Sequence, residues 1–442
     1  MTRFYKTLYF TLQWFRREPV KRAFEDLIKS EELPLDSLKH IQFKRLYNCL
    51  NHAIEKVPFY RVHLADYKEQ ILALDSWEDA ERLMLSIPPV TKELFIENMK
   101  AFYSEDIKDR NYFENKTSGS TGNPIIFPCD QESWAYRHAA AFRQLNLFGV
   151  EIGAPYGYFF GQHWKGKFKT KIKDLIFNRV RVSAFNLSLN NTPIYFQKLK
   201  NKRVQYFLGY PQTILEFLMY CKQLDLDVRD LPLKVIVCTA DTLRREVKDQ
   251  IEVLSGVPCA NQYGSVEGGA GAFSGLEGFM HISMETTWLQ VQNNEIYKTD
   301  LFLRSCPLIK FKVGDRSEGM LKLDSQLKQS HIVVKNILGR TQEDIVLSNG
   351  KRINAHLPNY IFKNVPSDWR IVKFRFYVCA NEAVIRLYIH ALTNLNPEQI
   401  KRIKEDVNEA FGNDLTVNII VTDNFPLLPN AKHRILLKDD SC

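Results

Sequence analysis

Between about residues 100 and 335, short apolar runs alternate with longer stretches of helical period, and no other feature narrows the fold as much. IIF (125–127), YGYFF (156–160), KVIVC (234–238) and EIYKTD (295–300) have strand length, while 131–148 and 211–224 read as helices. Strands and helices in alternation predict an α/β architecture. After residue 337 the order changes. RIVKFRFYVC (370–379) and EAVIRLYIHAL (382–392) read as strands, about Pro397 to Phe411 as a helix, and LTVNIIVTD (415–423) as a strand. That β-β-α-β order is enough for a small α+β domain of about 100 residues. Two units are expected, 1–337 and 338–442.

Residues 1–100 read as largely helical. Phe4, Leu8, Leu12 and Phe15 recur at helix spacing, with Arg3, Lys6, Arg16 and Arg17 among them. The pattern fits a helix packed on the body and equally a helix lying on a membrane surface, because both show one apolar side. The packed reading is preferred; peripheral contact with a membrane through this helix is kept as a second expectation. Another helix is expected over about 36–57, capped by Asp36 or Ser37 and ended by Pro58.

A chain of 442 residues is long enough for two or three domains. Its 45% apolar and 25% charged composition excludes disorder, collagen and coiled coil as descriptions of the whole. No run approaches the roughly 20 apolar residues of a membrane-spanning helix. The formal charge of +9 is spread along the chain, with a slight excess at the start and near 165–203, so a nucleic-acid partner is not expected. The eight cysteines lack any CxxC spacing, and several, such as Cys238, sit in apolar runs. With no secretory signal at the start, a reducing cytosol is the expected compartment.

The strongest local signal is Thr117-Ser118-Gly119-Ser120-Thr121-Gly122-Asn123-Pro124. Glycines let backbone amides approach a ligand, and amides with hydroxyls cradle phosphate oxygens. No GK[ST] follows, so it is not a Walker A loop. Taken alone, such a cluster is a polar turn.

TSGSTGNP resembles the phosphate-binding loop of the adenylate-forming superfamily, which includes acyl-CoA synthetases and phenylacetate–CoA ligases. Further elements follow in that superfamily's order. Tyr263-Gly264-Ser265-Val266-Glu267 resembles YGxxE; Thr299-Asp300 with Pro307–Asp315 is similar to TxL…PLIRYxxGD. Gly339-Arg340-Thr341-Gln342-Glu343-Asp344 resembles the GRxDD hinge, and Pro426–Arg434 resembles the terminal PxxxxGKxxR. VPFYR (57–61) and PPVTKELF (88–95) are similar to the phenylacetate–CoA ligase family, and VLSNGKRI (346–353) to its capsular-polysaccharide-biosynthesis members.

The resemblance implies a large N-terminal adenylate-forming domain, a small mobile C-terminal domain, and activation of a carboxylic acid by ATP. Thr117, Ser118, Gly119, Ser120, Thr121 and Gly122 would hold phosphates; Thr239, Ala240, Asp241, Tyr263 and Gly264 would lie by adenine. Asp315 would accept from the ribose hydroxyls and Arg340 assist at ribose or phosphate. Glu267 would offer Mg²⁺ a carboxylate, and Lys432 would bring charge to the α-phosphate. Gln342 or Glu343 would be the pivot. Phe160, Gln162, His163, Trp164, Tyr210 and Pro211 would line the acid pocket, and Gln162 and His163 hint at a polar acid. The acceptor would be the thiol of coenzyme A, or an amine or hydroxyl. Taken singly, Glu267, Asp315 or Lys432 is an ordinary solvated charge; within the ordered set that reading reverses.

Departures remain. The hinge is one residue longer than GRxDD, and Ala431 stands where glycine is usual. Thr239-Ala240-Asp241 replaces a Gly-Glu pair. No CxC follows His281, so no zinc is expected, and His281 reads as a packed strand residue.

Overall fold

The computed structural model describes residues 2–116, 126–161, 168–265, 269–322, 332–340, 345–347, 352–353, 361, 365–366, 369–379, 381–412, 415–422, 424–426 and 435–439. Strands β1 (Tyr112–Lys116) and β2 (Ile126–Asp130) form an antiparallel pair. Next come β3 (Tyr156–Phe160), β4 (Arg179–Ser183), β5 (Tyr206–Gly209), β6 (Val235–Thr239) and β7 (Cys259–Ser265). These five run parallel in the order 4-3-5-6-7. The helices Phe168–Ile176, Thr192–Lys202, Pro211–Gln223 and Arg245–Ser255 connect them, as parallel pairing requires. Strands buried on both faces need apolar residues throughout, and Val235–Cys238 of β6 is wholly buried.

The sheet continues antiparallel through β8 (Gly269–Ser274) and β9 (Met280–Ile282). A second sheet holds β10 (Thr287–Gln292), β11 (Glu295–Asp300) and β12 (Phe311–Ser317). β13 (Met320–Lys322) and β14 (Ile332–Val334) close the first sheet at nine strands, and β15 (Ile337–Arg340) joins β12 in the second. The N-terminal helices cap this pair of sheets. Trp77, Leu46 and Leu50 share one core with Trp288, Leu289 and Ile296. Tyr60 pins the arrangement: its hydroxyl donates to the Pro307 carbonyl at 3.0 Å and accepts from the Ile309 amide at 2.8 Å.

Farther along, β16 (Ile345–Val346) and β17 (Arg352–Ile353) form a small antiparallel pair at the two ends of the VLSNGKRI segment. β18 (Ile371–Cys379), β19 (Val384–Ala391), β20 (Thr416–Val421) and β21 (Leu436–Lys438) make a separate sheet in the order 20-19-18-21. Its helix, Pro397–Phe411, starts with a capping box between Asn396 and Gln399. Phe376, Val378, Leu387, Ile403 and Val407 form its own core. The expected β-β-α-β tail is present, with β21 added beside β18. The helices expected at 36–57, 131–148 and 211–224 are Leu35–Lys56, Gln131–Leu147 and Pro211–Gln223. The molecule is an α/β structure with a small α+β unit at its C-terminal end.

Candidate active site

In an open parallel sheet, ligands bind beyond the carboxyl ends of the strands where the strand order reverses. Here β4 lies on one side of β3 and β5 on the other, so the reversal falls between β3 and β5. Phe160 ends β3 and Tyr210 follows β5, with ring centroids 4.9 Å apart. Gly209 makes that approach possible: a Cβ there would stand 2.1 Å from the Phe159 carbonyl oxygen. The Tyr210 amide donates to that same oxygen at 2.9 Å. Pro211 then opens the next helix at a position where its missing N–H costs nothing. Burial, and next the Asp241 carboxylate, push the Tyr210 phenol up to about 12, so it stays a hydrogen-bonding hydroxyl at neutral pH.

Beside this crevice several of the residues expected at the nucleotide fall into one row. Thr239 ends β6, pairs with Gln262 on β7, and donates its hydroxyl to the Gln262 carbonyl at 2.9 Å. The Tyr263 hydroxyl donates to Asp315 Oδ2 at 2.9 Å, joining the first sheet to the second. Asp315 on β12 is in turn paired with Arg340 on β15. Ala240 adopts a left-handed φ of +64°, a conformation that favours glycine, and Asp241 caps its own turn through the Thr242 amide at 2.9 Å. Gly264 is exposed beside Tyr263. Residues carried over from separate motifs thus form one continuous edge.

Other expected residues lie outside the described ones: Thr117, Ser118, Gly119, Ser120, Thr121 and Gly122 of the phosphate loop, Gln162, His163 and Trp164 of the pocket, Glu267, the hinge pair Gln342 and Glu343, and Lys432. Among the described residues no group of three His, Cys, Asp or Glu could hold a metal. Mg²⁺ commonly takes one or two carboxylates and completes its shell with phosphate oxygens and water, so the single carboxylate expected at Glu267 fits its chemistry. His281 is a buried strand residue on β9, facing Glu277 at 3.4 Å, with burial lowering its pKa.

Several groups near the site were not anticipated. Lys298 on β11 is fully buried; its Nζ donates to the Gly269 carbonyl at 3.0 Å and lies 5.2 Å from the Tyr263 ring centroid. Asp300 accepts from the Ser133 hydroxyl at 2.7 Å and from the Phe302 amide at 2.9 Å, which fixes the turn after β11. The small C-terminal sheet approaches this side of the body. Lys373 on β18 pairs with Glu216 at 2.9 Å, both nearly buried, and Gln212 donates to the Val372 carbonyl. Arg375 is 1% exposed and close enough to Asp241 for the two charges to interact, although burial lowers the guanidinium's pKa. Arg244 covers the Phe374 ring, 5.6 Å from its centroid. The alternation along β18 puts Phe374, Phe376 and Val378 into the small core and Lys373 and Arg375 on the other face, where Lys373 meets Glu216 and Arg375 donates to the Pro426 carbonyl.

No protein-family model matches the chain. It is 24% identical over 454 residues to Protein CapK of Staphylococcus aureus, across 96% of this chain and 94% of that protein. Its structure is similar to that of 2-hydroxyisobutyryl-CoA ligase. Against that ligase in the postadenylation state with R3-HIB-AMP the TM-score is 0.72 at 16% identity, over 93% of this chain and 92% of the other. Against an open conformation of the same ligase with 2-HIB-AMP and CoA it is 0.58 at 15% identity, over 92% and 93%. The chain shares the α/β fold of that ligase.

Proposed function

We propose that this protein is an ATP-dependent ligase that joins a carboxylic acid to the α-phosphate of ATP, releases pyrophosphate, and passes the acyl group from acyl-AMP to an acceptor. The observation that carries the reading is the 2.9 Å Tyr263–Asp315 contact, flanked by Thr239 and Arg340, at the carboxyl edge of the sheet. Asp315, oriented by the Tyr263 hydroxyl, accepts from the ribose hydroxyls. The hydroxyls and amides of Thr117–Gly122 hold the phosphates, and Lys432 neutralises charge that builds on the α-phosphate as the carboxylate oxygen bonds to the α-phosphorus and the bond to pyrophosphate breaks. Glu267, with the phosphates, would hold Mg²⁺, and the ion would supply positive charge at the departing pyrophosphate. Residues 338–442 form the mobile unit that delivers Lys432, turning about Gln342 or Glu343.

The acid sits against Phe160 and Tyr210, whose rings lie 4.9 Å apart. A small hydroxy, amino or sugar acid suits that pocket better than phenylacetate, in keeping with Gln162 and His163 in the same segment. The similar fold of a 2-hydroxyisobutyryl-CoA ligase supports the same class. The acceptor is the thiol of coenzyme A or an amine or hydroxyl, and the likeness to CapK favours a role in surface polysaccharide. Mass spectrometry of reactions with ATP, Mg²⁺ and pooled acids tests this directly. An acyl-AMP from a polar-acid pool is expected; acyl-AMP from phenylacetate alone contradicts the pocket assignment, and none from any pool while ATP binds contradicts the activity.

A further inference from the structure

The first helix, Thr2–Phe15, packs on the body by one side only. Tyr9 and Gln13 are buried, and the Tyr9 ring meets Phe142 and Phe177 at 5.3 and 6.0 Å. At 3.6 residues per turn the opposite side carries Arg3, Phe4, Thr7, Thr11, Trp14 and Phe15, all exposed. Phe4, Trp14 and Phe15 are 65%, 73% and 71% exposed. Other exposed apolar residues, such as Val62 or Val253, occur singly, which is ordinary; three large aromatics on one outward helix side are not. The Phe168–Ile176 helix packs beside this one and adds Ile172 and Leu175, 41% and 60% exposed.

The charge around these side chains has one sign. Residues 1–17 hold four basic and no acidic residues, and 165–173 hold five lysines and no acidic residue. Two neighbouring carboxylates are engaged: Glu18 is buried against Arg16 at 2.9 Å, and Asp174 is held by Arg179 and Arg181. Lys173 is kept below its usual pKa by burial and by Arg179, Arg16 and Arg181, so the arginines of β4 and the residue after the first helix lie close to it. We infer that this face docks on an anionic lipid surface, with Phe4, Trp14, Phe15 and Leu175 entering the headgroup boundary and Arg3, Arg17, Lys171 and Lys173 meeting the lipid phosphates. Exposed aromatics ringed by basic residues are the pattern of interfacial helices. A second copy of the chain fits less well, because a two-fold contact would set the basic rim against itself. No helix among the described residues is long and apolar enough to cross a membrane, so the contact is a surface one.

Flotation with vesicles of phosphatidylcholine, alone or mixed with phosphatidylglycerol, tests the inference on the full chain. The wild type is expected to float with the mixed vesicles only, and to be released by salt. Trp14→Ser/Phe15→Ser is expected to weaken partitioning about tenfold or more. Arg17→Gln/Lys171→Gln is expected to weaken it about 25-fold, at about fivefold per charge. Both pairs are solvent-facing, so melting temperatures should match the wild type. Absence of binding to the mixed vesicles, or binding that neither pair changes, overturns the inference. So does a wild-type dimer in sedimentation velocity that Trp14→Ser/Phe15→Ser converts to monomer.

Discussion

The seam between the two large sheets and the seam between the body and the C-terminal sheet are built from different materials. Across the first, Ala272, Met280 and Ile282 share one continuous apolar core with Trp288, Leu289 and Ile296. Across the second stand a buried ion pair, Glu216–Lys373, the Gln212 bond to Val372, and Tyr220, whose hydroxyl lies 3.0 Å from His390 Nε2. A cavity of about 110 Å³ lined by Gln212, Leu215, Arg244, Val372 and Phe374 runs along it. Area-proportional apolar burial gives the first seam no cheap way to open. The second is held by polar groups that water can satisfy on separation, with little net gain from staying closed. The first seam carries the Tyr263–Asp315 contact; the second carries the unit expected to move.

The sharpest way to break this contrast is Glu216→Ala. It leaves Lys373 unpaired in the docked form, at a cost of about 3 kcal/mol. Small-angle scattering should then report an expanded particle while circular dichroism stays that of a folded body; no expansion would mean the second seam is as firm as the first. Replacing both partners, Glu216→Leu with Lys373→Met, should restore the compact form.

Asp315→Ala should weaken ATP binding by about ten- to a hundredfold, the worth of a hydrogen bond to a charged group, with the melting temperature nearly unchanged. Calorimetry gives both quantities. Tyr263→Phe removes only the hydroxyl that orients Asp315 and should cost a few-fold in the same titration, on the order of 1 kcal/mol.

The smallest effect is on acid stability. His138, His281, His52 and His63 all belong to the body. Burial holds each below its ordinary value of 6.5, His138 at about 4, where Arg137 and Arg16 add to the effect. Below 6.5 the unfolded chain takes up protons that the folded body refuses, so stability falls as pH drops toward about 4. Melting temperatures between neutral pH and pH about 5 should decline, and His138→Gln should flatten the decline.

Local pattern made much of this architecture legible. Helix spans fall within two residues of their expected positions because periodicity and proline boundaries are local signals. Tyr263 and Asp315 were found through motifs, yet their contact joins positions 52 apart and only the fold reveals it. Lys298 was overlooked although strand alternation puts it on the face of Ile296, where a lysine is out of place. Arg375 and Lys373 share the second face of β18, and a basic face on a strand with an apolar opposite face was a readable sign of a polar seam. The Ser133–Asp300 contact spans 167 positions and had no sequence signature.

Acid-dependent pyrophosphate release from ATP and Mg²⁺, measured for the wild type and Lys432→Ala, tests the central claim most directly. The account predicts release only with an activating acid, and a loss of about a thousandfold in the variant, as for removal of a group that stabilises transition-state charge. Equal release from both proteins, or release that no acid alters, would contradict it.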